Sequence, residues 1–435
     1  MKKYETLVNE ISEAMRRGEL KQGDKIASVR DLSARYACSK GTVLRALEQL
    51  VKEQLLYAVP KSGHYVLSDI SKQGEETDFK NSLPDLAQFP FGDFSTCLNQ
   101  VLHSRDKYLF DNKPDERGLS DLLHSFYQTL PSYSVYTKKE QVFVTSGAQQ
   151  ALYILSTMDF HNERRVILLE QPGYDRMNKM VKELGIPYET VERSPGEPDW
   201  KRLEELFAKG NIKFFYTVSL MHYPLGSSYR EEEKMRLVDL ASKYGVYIVE
   251  DDYMADFETG ASLPLHYYDV SDRVIYLKSF SSIVFPSLRI ALVVMPKALT
   301  EEFLKHKGLM DYDTNYLIQK AFSLYIDNGM FRKHRDRLVS IHAEKNAALR
   351  HVLQTHQLDD AIVYDTKAVF RIKEIAKVAR LKKAIANRYK VDFLEDCYIG
   401  NCPYEYLKID VRNLSLSEMN QKLSELLKIL SRYIR

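Results

Sequence analysis

The sequence predicts an α/β protein: a small helical unit at the N-terminus, a large unit built on a mostly parallel sheet with helices on both faces, and a small α+β lobe at the end. Three observations carry that expectation. The first sixty-seven residues hold three helical patterns followed by two short apolar strands. Beyond about Leu119, short apolar strands alternate with amphipathic helices, the rhythm of strands joined by helical crossovers. The last third is helical through about Leu353 and then gives short strands around a cationic helix.

The totals set bounds. At 435 residues the chain exceeds one ordinary domain, and 44% hydrophobic residues suffice for a substantial core. A net charge of +2 argues neither for nor against nucleic acid, so any basic surface is local. Cys38, Cys97, Cys397 and Cys402 form no CxxC pair and no zinc spacing with histidine, which fits a reduced cytosol and gives no metal site. No apolar run approaches the roughly 20 residues of a membrane span, and the N-terminus lacks a signal-peptide core. The expectation is a soluble cytoplasmic protein without membrane contact.

In the head, Tyr4, Leu7, Val8, Ile11, Ala14 and Met15 recur at helical spacing. Ser28 caps a second helix running to about Tyr36. Ser39 caps a third, whose Val43, Leu44, Leu47, Leu50 and Val51 are expected to face inward. Two strands then flank the turn Pro60-Lys61-Ser62-Gly63. Three helices and a hairpin make a winged helix-turn-helix, with the third helix entering a major groove and the hairpin reaching the backbone or minor groove. Lys40, Arg45 and Lys61 would contact phosphates or base edges, and Ser39 and Ser62 would donate to phosphate. The bland alternative is a helical interaction module with solvated cations.

The head resembles GntR-family DNA-binding domains, matching their P-S-x-R-x-L-A…S-x-x-T-V-x-R-A-x-x-x-L…S-G-x-x-V pattern at Ser28, Arg30, Leu32, Ser39, Thr42, Val43, Arg45, Ala46, Leu50, Ser62, Gly63 and Val66, with Ala27 in place of the usual proline. The resemblance implies DNA-binding roles for Arg30, Thr42, Arg45 and Gly63, and double-stranded operator DNA as a partner. Residues 1–67 are thus taken as the DNA-binding domain, and 68–80 (SDISKQGEETDFK), polar and aperiodic, as a flexible joint. Residues 81–435 form the large domain, with its small lobe from about 330.

In a sheet of this kind a ligand lies outside the carboxyl ends of the strands. After Val142–Thr145 comes Ser146-Gly147-Ala148, opening a helix whose N–H groups suit an anion. After Val166–Leu169 comes Pro172-Gly173-Tyr174-Asp175-Arg176, where Tyr174 can lie on a planar ring and Arg176 can hold a carboxylate. Leu220-Met221-His222-Tyr223-Pro224-Leu225-Gly226 follows Phe214–Val218, with His222 read as a packed histidine. Glu250-Asp251-Asp252-Tyr253 ends a buried strand, where Asp251 can hold a pyridine nitrogen and Tyr253 a ring oxygen. Last, Val274–Leu277 reads as a strand, Ser279, Ser281 and Ser282 as its polar turn, and Leu288–Val294 as a buried strand carrying Arg289. Hydroxyls beside one guanidinium suit a phosphate dianion.

That final stretch resembles the T-F-S-K…P-G-L-R-L-G segment of the MocR subgroup of GntR-family regulators, in which a fold-type-I, pyridoxal phosphate (PLP)-dependent aminotransferase-like domain is fused to a DNA-binding domain. Ser279, Ser281, Pro286, Leu288 and Arg289 fall in register, and Ser282 stands where that pattern has its cofactor lysine. Asp251, Tyr253, Tyr174 and the Thr145–Gln150 turn match as well. Around Leu220–Gly226, apolar residues replace the family's polar ones and imply a drier or partly filled pocket. The family's arginine for a substrate carboxylate aligns with Lys408, with Arg412 as an alternative if the strand persists that far. The resemblance also implies a head-to-tail homodimer.

A serine hydroxyl cannot replace the amine that bonds the cofactor and carries protons. No catalytic residue is therefore assigned, and no covalent link between PLP and a lysine is expected. Lys278 would serve only if the turn were remodelled. The expectation is a transcription regulator whose degenerate pocket (Ser146, Gly147, Ala148, Tyr174, Tyr223, Asp251, Tyr253, Ser279, Ser282, Arg289) binds PLP, pyridoxamine phosphate or an amino-acid-like effector non-covalently, with Arg176, Lys408 and Arg412 as candidates for an effector carboxylate. The alternatives are a working aminotransferase with an accessory DNA-binding module and a ligand-free dimerisation scaffold.

Overall fold

Leu7, Ile11 and Met15 share one face of the first helix, and Val43, Ala46, Leu47 and Leu50 share one face of the third; together with Leu32 they form a closed apolar core. In the computed structural model these elements are α1 (Lys3–Arg16), α2 (Val29–Arg35) and α3 (Lys40–Lys52), followed by an antiparallel hairpin of β1 (Leu56–Val59) and β2 (Gly63–Val66). The structure describes residues 3–52, 55–59, 62–67, 77–80, 88–104, 106–110, 116–160, 163–193, 197–258, 260, 262–310, 315–372, 375–386, 388–400 and 405–434. Leu44 is 44% exposed, contrary to the inward position expected for it. One residue on from Val43 it is rotated by roughly 100° around the helix, off the buried stripe.

The chain divides into two compact units, Met1–Thr77 and Asp78–Arg435. The second begins earlier than the polar composition of the joint implies. Phe79 is fully buried, its N–H donates to the Lys390 carbonyl and its carbonyl accepts from the Asp410 N–H. A single apolar residue inside a polar run leaves no periodic trace.

The large unit is built on a seven-stranded sheet. Its strands are β3 (Val142–Thr145), β4 (Val166–Gln171), β5 (Tyr188–Glu192), β6 (Ile212–Thr217), β7 (Tyr247–Asp251), β8 (Val274–Ser279) and β9 (Ala291–Val294), in the spatial order β3-β9-β8-β7-β6-β4-β5. Strands β5 through β8 are parallel neighbours, whereas β9 is antiparallel to both β8 and β3. Near-continuous burial along β3, β6, β7 and β9 is what helices on both faces require. The covering helices include α4 (Ala148–Thr157), α5 (Asp175–Glu183), α6 (Trp200–Ala208) and α7 (Glu231–Tyr244).

The reversal of β9 positions the site. Because it runs against β8, its first residue lies at the edge where β7 and β8 end, and the turn before it delivers Arg289 there. The strand starts at Ala291 rather than at Leu288: Pro286–Leu288 is a 3₁₀ turn and Arg289 adopts a left-handed conformation with φ of 51°. Downstream, α8 (Met330–Thr355) leads into a four-stranded antiparallel sheet of β10 (Ile362–Tyr364), β11 (Lys367–Ile372), β12 (Asp392–Phe393) and β13 (Glu405–Asp410), in the order β10-β11-β13-β12. Ile375–Ile385 and the helical stretch Leu416–Ile434 pack with this sheet. Among the described residues, no helix is long and apolar enough to cross a membrane.

Candidate functional site

In the head, Arg30, Ser39, Lys40 and Arg45 are exposed, while Thr42, Ser62 and Gly63 are half-buried. Lys61 lies outside the described residues. The Ser39 hydroxyl accepts the Thr42 N–H at 3.1 Å and bonds its hydroxyl at 2.9 Å, so this serine first caps α3 and aims it. The Arg45 guanidinium rests 4.5 Å from the centre of the Tyr4 ring, which pre-orients it on the outer face of α3. Ser62 Oγ lies 2.6 Å from Tyr65 Oη and braces the hairpin. Lys25, which motif matching passed over, is bridged to Tyr65 and places its ammonium 5.9 Å from that ring.

In the large unit, a cavity of about 240 Å³ opens at the carboxyl ends of β7 and β8. Ala148, Tyr174, Tyr223, Asp251, Tyr253, Ser279, Ser282 and Arg289 all line it. Gln149 of the Thr145–Gln150 turn and Ser281 of the serine turn line it too, together with Tyr216 and Val218, which no motif singles out. Ser146 and Gly147 do not. The Ser146 N–H donates to Gln150 Oε1 at 2.8 Å and the Gly147 N–H to the Thr145 carbonyl at 2.8 Å, so neither amide is free for an anion. Gly147 acts differently: with φ of 78° and no side chain, it lets the Arg289 guanidinium lie against the loop, and a Cβ there would sit 3.1 Å from Arg289 Cζ. Among the described residues no carboxylate pairs with Arg289.

Asp251 lines the same cavity. Its Oδ2 accepts from Tyr216 Oη at 2.8 Å, while Oδ1 is buried without a partner. Burial pushes its carboxyl up to about 7, against the Tyr216 bond that favours the charged form. A protonated ring nitrogen would satisfy the orphaned oxygen and offset that desolvation. The Ser281 hydroxyl is likewise buried and unpartnered. The wall thus fits a phosphorylated pyridine, with Arg289 and the serine hydroxyls at one end and Asp251 at the ring. Held there, such a group would supply an electron-withdrawing ring and an aldehyde or amine for carbonyl chemistry. Among the described residues no lysine lines the cavity. The Lys278 ammonium is fully buried and bonds Asp256 Oδ2 at 2.5 Å, and Asp256 also accepts from Tyr133 Oη at 2.7 Å.

Several expectations need correction. Tyr253 Oη donates to the Met221 carbonyl at 3.0 Å, so the phenol is already committed. Leu220, Met221 and Leu225 do not line this cavity, so their apolar character does not dry it; Leu225 packs in the small-lobe cluster with Tyr364. Arg176 is exposed on α5, away from the lining. Lys408 pairs with Asp392 at 2.9 Å and lies 5.2 Å from the centre of the Tyr223 ring, behind the wall. Strand β13 ends at Asp410, so Arg412 falls in the following turn, where it pairs with Asp365 at 3.3 Å and Asp410 at 3.7 Å. Both candidate carboxylate receivers are therefore neutralised from within. His222 is buried, with Nε2 3.3 Å from Glu170 Oε2, in a network that also takes Arg193 and Tyr229. It is a packed histidine, as its sequence setting implies.

Comparison with known proteins places these features in context. The family description "Aminotransferase class I and II" matches residues 114–419, and "Bacterial regulatory proteins, gntR family" matches residues 3–66. The HTH-type transcriptional regulator YcxD of Bacillus subtilis is 40% identical over 82% of this chain and 81% of its own. The probable rhizopine catabolism regulatory protein MocR of Rhizobium meliloti is 25% identical over 85% of this chain and 79% of its own. Among solved structures, a kynurenine aminotransferase of Pyrococcus horikoshii superposes with a TM-score of 0.73 at 19% identity, covering 82% of this chain and 92% of that one, which extends the likeness in fold.

Proposed function

The chain belongs to the HTH-type transcriptional regulators that join a gntR-family head to an aminotransferase class I and II domain, and from that premise we propose that its large unit senses a phosphorylated pyridine of the vitamin B6 group, bound without a covalent link, and does not transaminate. The head binds operator DNA. The effector would be PLP or pyridoxamine phosphate, recognised through ring nitrogen and phosphate rather than through an amino-acid carboxylate. A homodimer reading two half-sites completes the proposal.

The observation that supports it best is the buried, unpartnered Asp251 Oδ1 at a cavity that Arg289 also lines and that, among the described residues, no lysine enters. A polar wall with an unmet acceptor is costly unless something fills it, which argues against an empty scaffold. A lysine locked against Asp256 argues against catalysis. Ligand occupancy would act on the DNA-binding heads through different affinities for two arrangements of the protein.

Titrating the purified protein with PLP and with pyridoxamine phosphate, followed by calorimetry and visible absorbance, tests this. The expected result is saturable binding of both with no borohydride-reducible bond to the chain. A reducible adduct at Lys278 would restore the enzyme reading, and no binding would leave a scaffold. Ser282→Lys is expected to create a reducible, coloured adduct with PLP.

A further inference from the structure

Strand β7 ends at Asp251, which lines the cavity of Arg289, and the next residue, Asp252, turns to the other side. The second side faces a separate cavity of about 300 Å³, lined by Asp252, Lys234, Glu258 and the hydroxyl residues Ser132, Ser219 and Ser262. None of these belongs to the cavity of Arg289. Asp252 is 4% exposed; its Oδ2 accepts from Tyr276 Oη at 2.8 Å, and its Oδ1 has no partner.

We propose that this cavity is a second ligand site, taking a small molecule with a primary ammonium group held by the free oxygen of Asp252. The charge around the site supports a cation. Asp252 and Glu258 lie on its wall, and the Lys234 ammonium is already directed to Ser262 Oγ at 2.7 Å and the Leu263 carbonyl at 2.6 Å. The nearby Lys278 is neutralised by Asp256. The donor set selects ammonium over a metal ion: among the described residues no group of three or more His, Cys, Asp or Glu side chains converges, whereas hydroxyls beside a carboxylate suit a charge that carries its own N–H donors. Lys234 retains one donor for a carboxylate on the same ligand, so an amino acid fits as well as a bare amine.

The site has a route to the first cavity. Burial raises the Asp251 carboxyl and the Asp252 carboxylate adds to that rise, so an ammonium on Asp252 favours the ionised Asp251 that a protonated ring nitrogen needs. That coupling rests on the B6 reading; the ammonium site does not.

The test uses the full chain, with methylammonium chloride and glycine as probes and sodium and potassium chloride at equal ionic strength as controls, read by calorimetry and thermal midpoint. Methylammonium is expected to bind saturably and raise the midpoint above both controls, and Asp252→Asn, which keeps an acceptor for Tyr276, to weaken it by about tenfold or more. A stronger response to glycine assigns an amino acid, and an equal one a simple amine. A response to potassium as large as to methylammonium, or one unchanged in Asp252→Asn, overturns the proposal. If Asp252→Asn does not fold, Glu258→Gln at the wall carries the test: a several-fold loss supports the site and unaltered affinity overturns it.

Discussion

The outer face of α3 and the cavity at the end of β7 both offer cations to an anionic partner, but they prepare them in opposite ways. On α3, Lys40 and Arg45 stand at the surface, and the Tyr4 ring restrains Arg45. In the large unit, Lys278, Lys408 and Arg412 are met by Asp256, Asp392 and Asp365, whereas Arg289 lines the cavity with no carboxylate paired to it among the described residues. A surface that must slide along a polyelectrolyte keeps its charges available. A cavity that must choose one small molecule cancels the charges it does not use, because each uncompensated buried ion costs several kcal/mol.

The largest expected effect breaks the cavity side of that contrast. Arg289→Ala should cost about 3 kcal/mol of pyridoxamine phosphate affinity, roughly a hundredfold, with operator affinity of the ligand-free protein unchanged. Retained affinity in calorimetry would mean that the phosphate lies elsewhere. On the head side, Arg45→Ala should cost about 2 kcal/mol of operator binding and flatten its salt dependence, with oligomeric state unaltered. An unaltered operator affinity by gel shift would move recognition off α3.

A smaller effect concerns Asp251. Its carboxyl, pushed up to about 7 by burial from an ordinary 3.8, is harder to ionise folded than unfolded. Its contribution to stability is therefore fully present below the unfolded value and declines as pH rises toward about 7. Asp251→Asn, which keeps an acceptor for Tyr216, should match the parent near pH 4 and exceed it by a margin that widens as pH rises toward 8. Parallel stability curves across that range would show that Asp251 is not desolvated as the structure has it. The smallest effect sharpens the role of internal pairing: Asp392→Asn should release Lys408 and change affinity for an amino-acid adduct of PLP by less than about 1 kcal/mol, because Lys408 remains behind Tyr223. A gain of tenfold or more would give Lys408 the carboxylate role.

How far the sequence reaches depends on whether a residue's setting is local. The head was legible almost throughout, since helix spacing, the Ser28 and Ser39 caps and the hairpin act over a few residues; Leu44 was misplaced because one step around a helix changes its face. The alternation of strands and helices in the large unit is equally plain, as are Tyr174, Asp251 and Tyr253 at strand ends, whereas Arg289, expected on a strand, stands in the turn before β9. Phe79 was hidden because its partners, Lys390 and Asp410, are remote in the chain. Tyr216 and Val218 give no signal of their own, since both sit within or beside a strand that is buried along its whole length.

The order of residues along the chain determined the two-unit plan, the parallel sheet and the edge at which a ligand belongs, because periodicity, capping and strand direction are properties of neighbours in sequence. Folding decided which charges stay free. Whether Lys278, Lys408, Arg412 or Arg289 can meet a ligand depends on carboxylates brought to each from distant segments, and at close range in a low-dielectric interior such pairing outweighs any local preference.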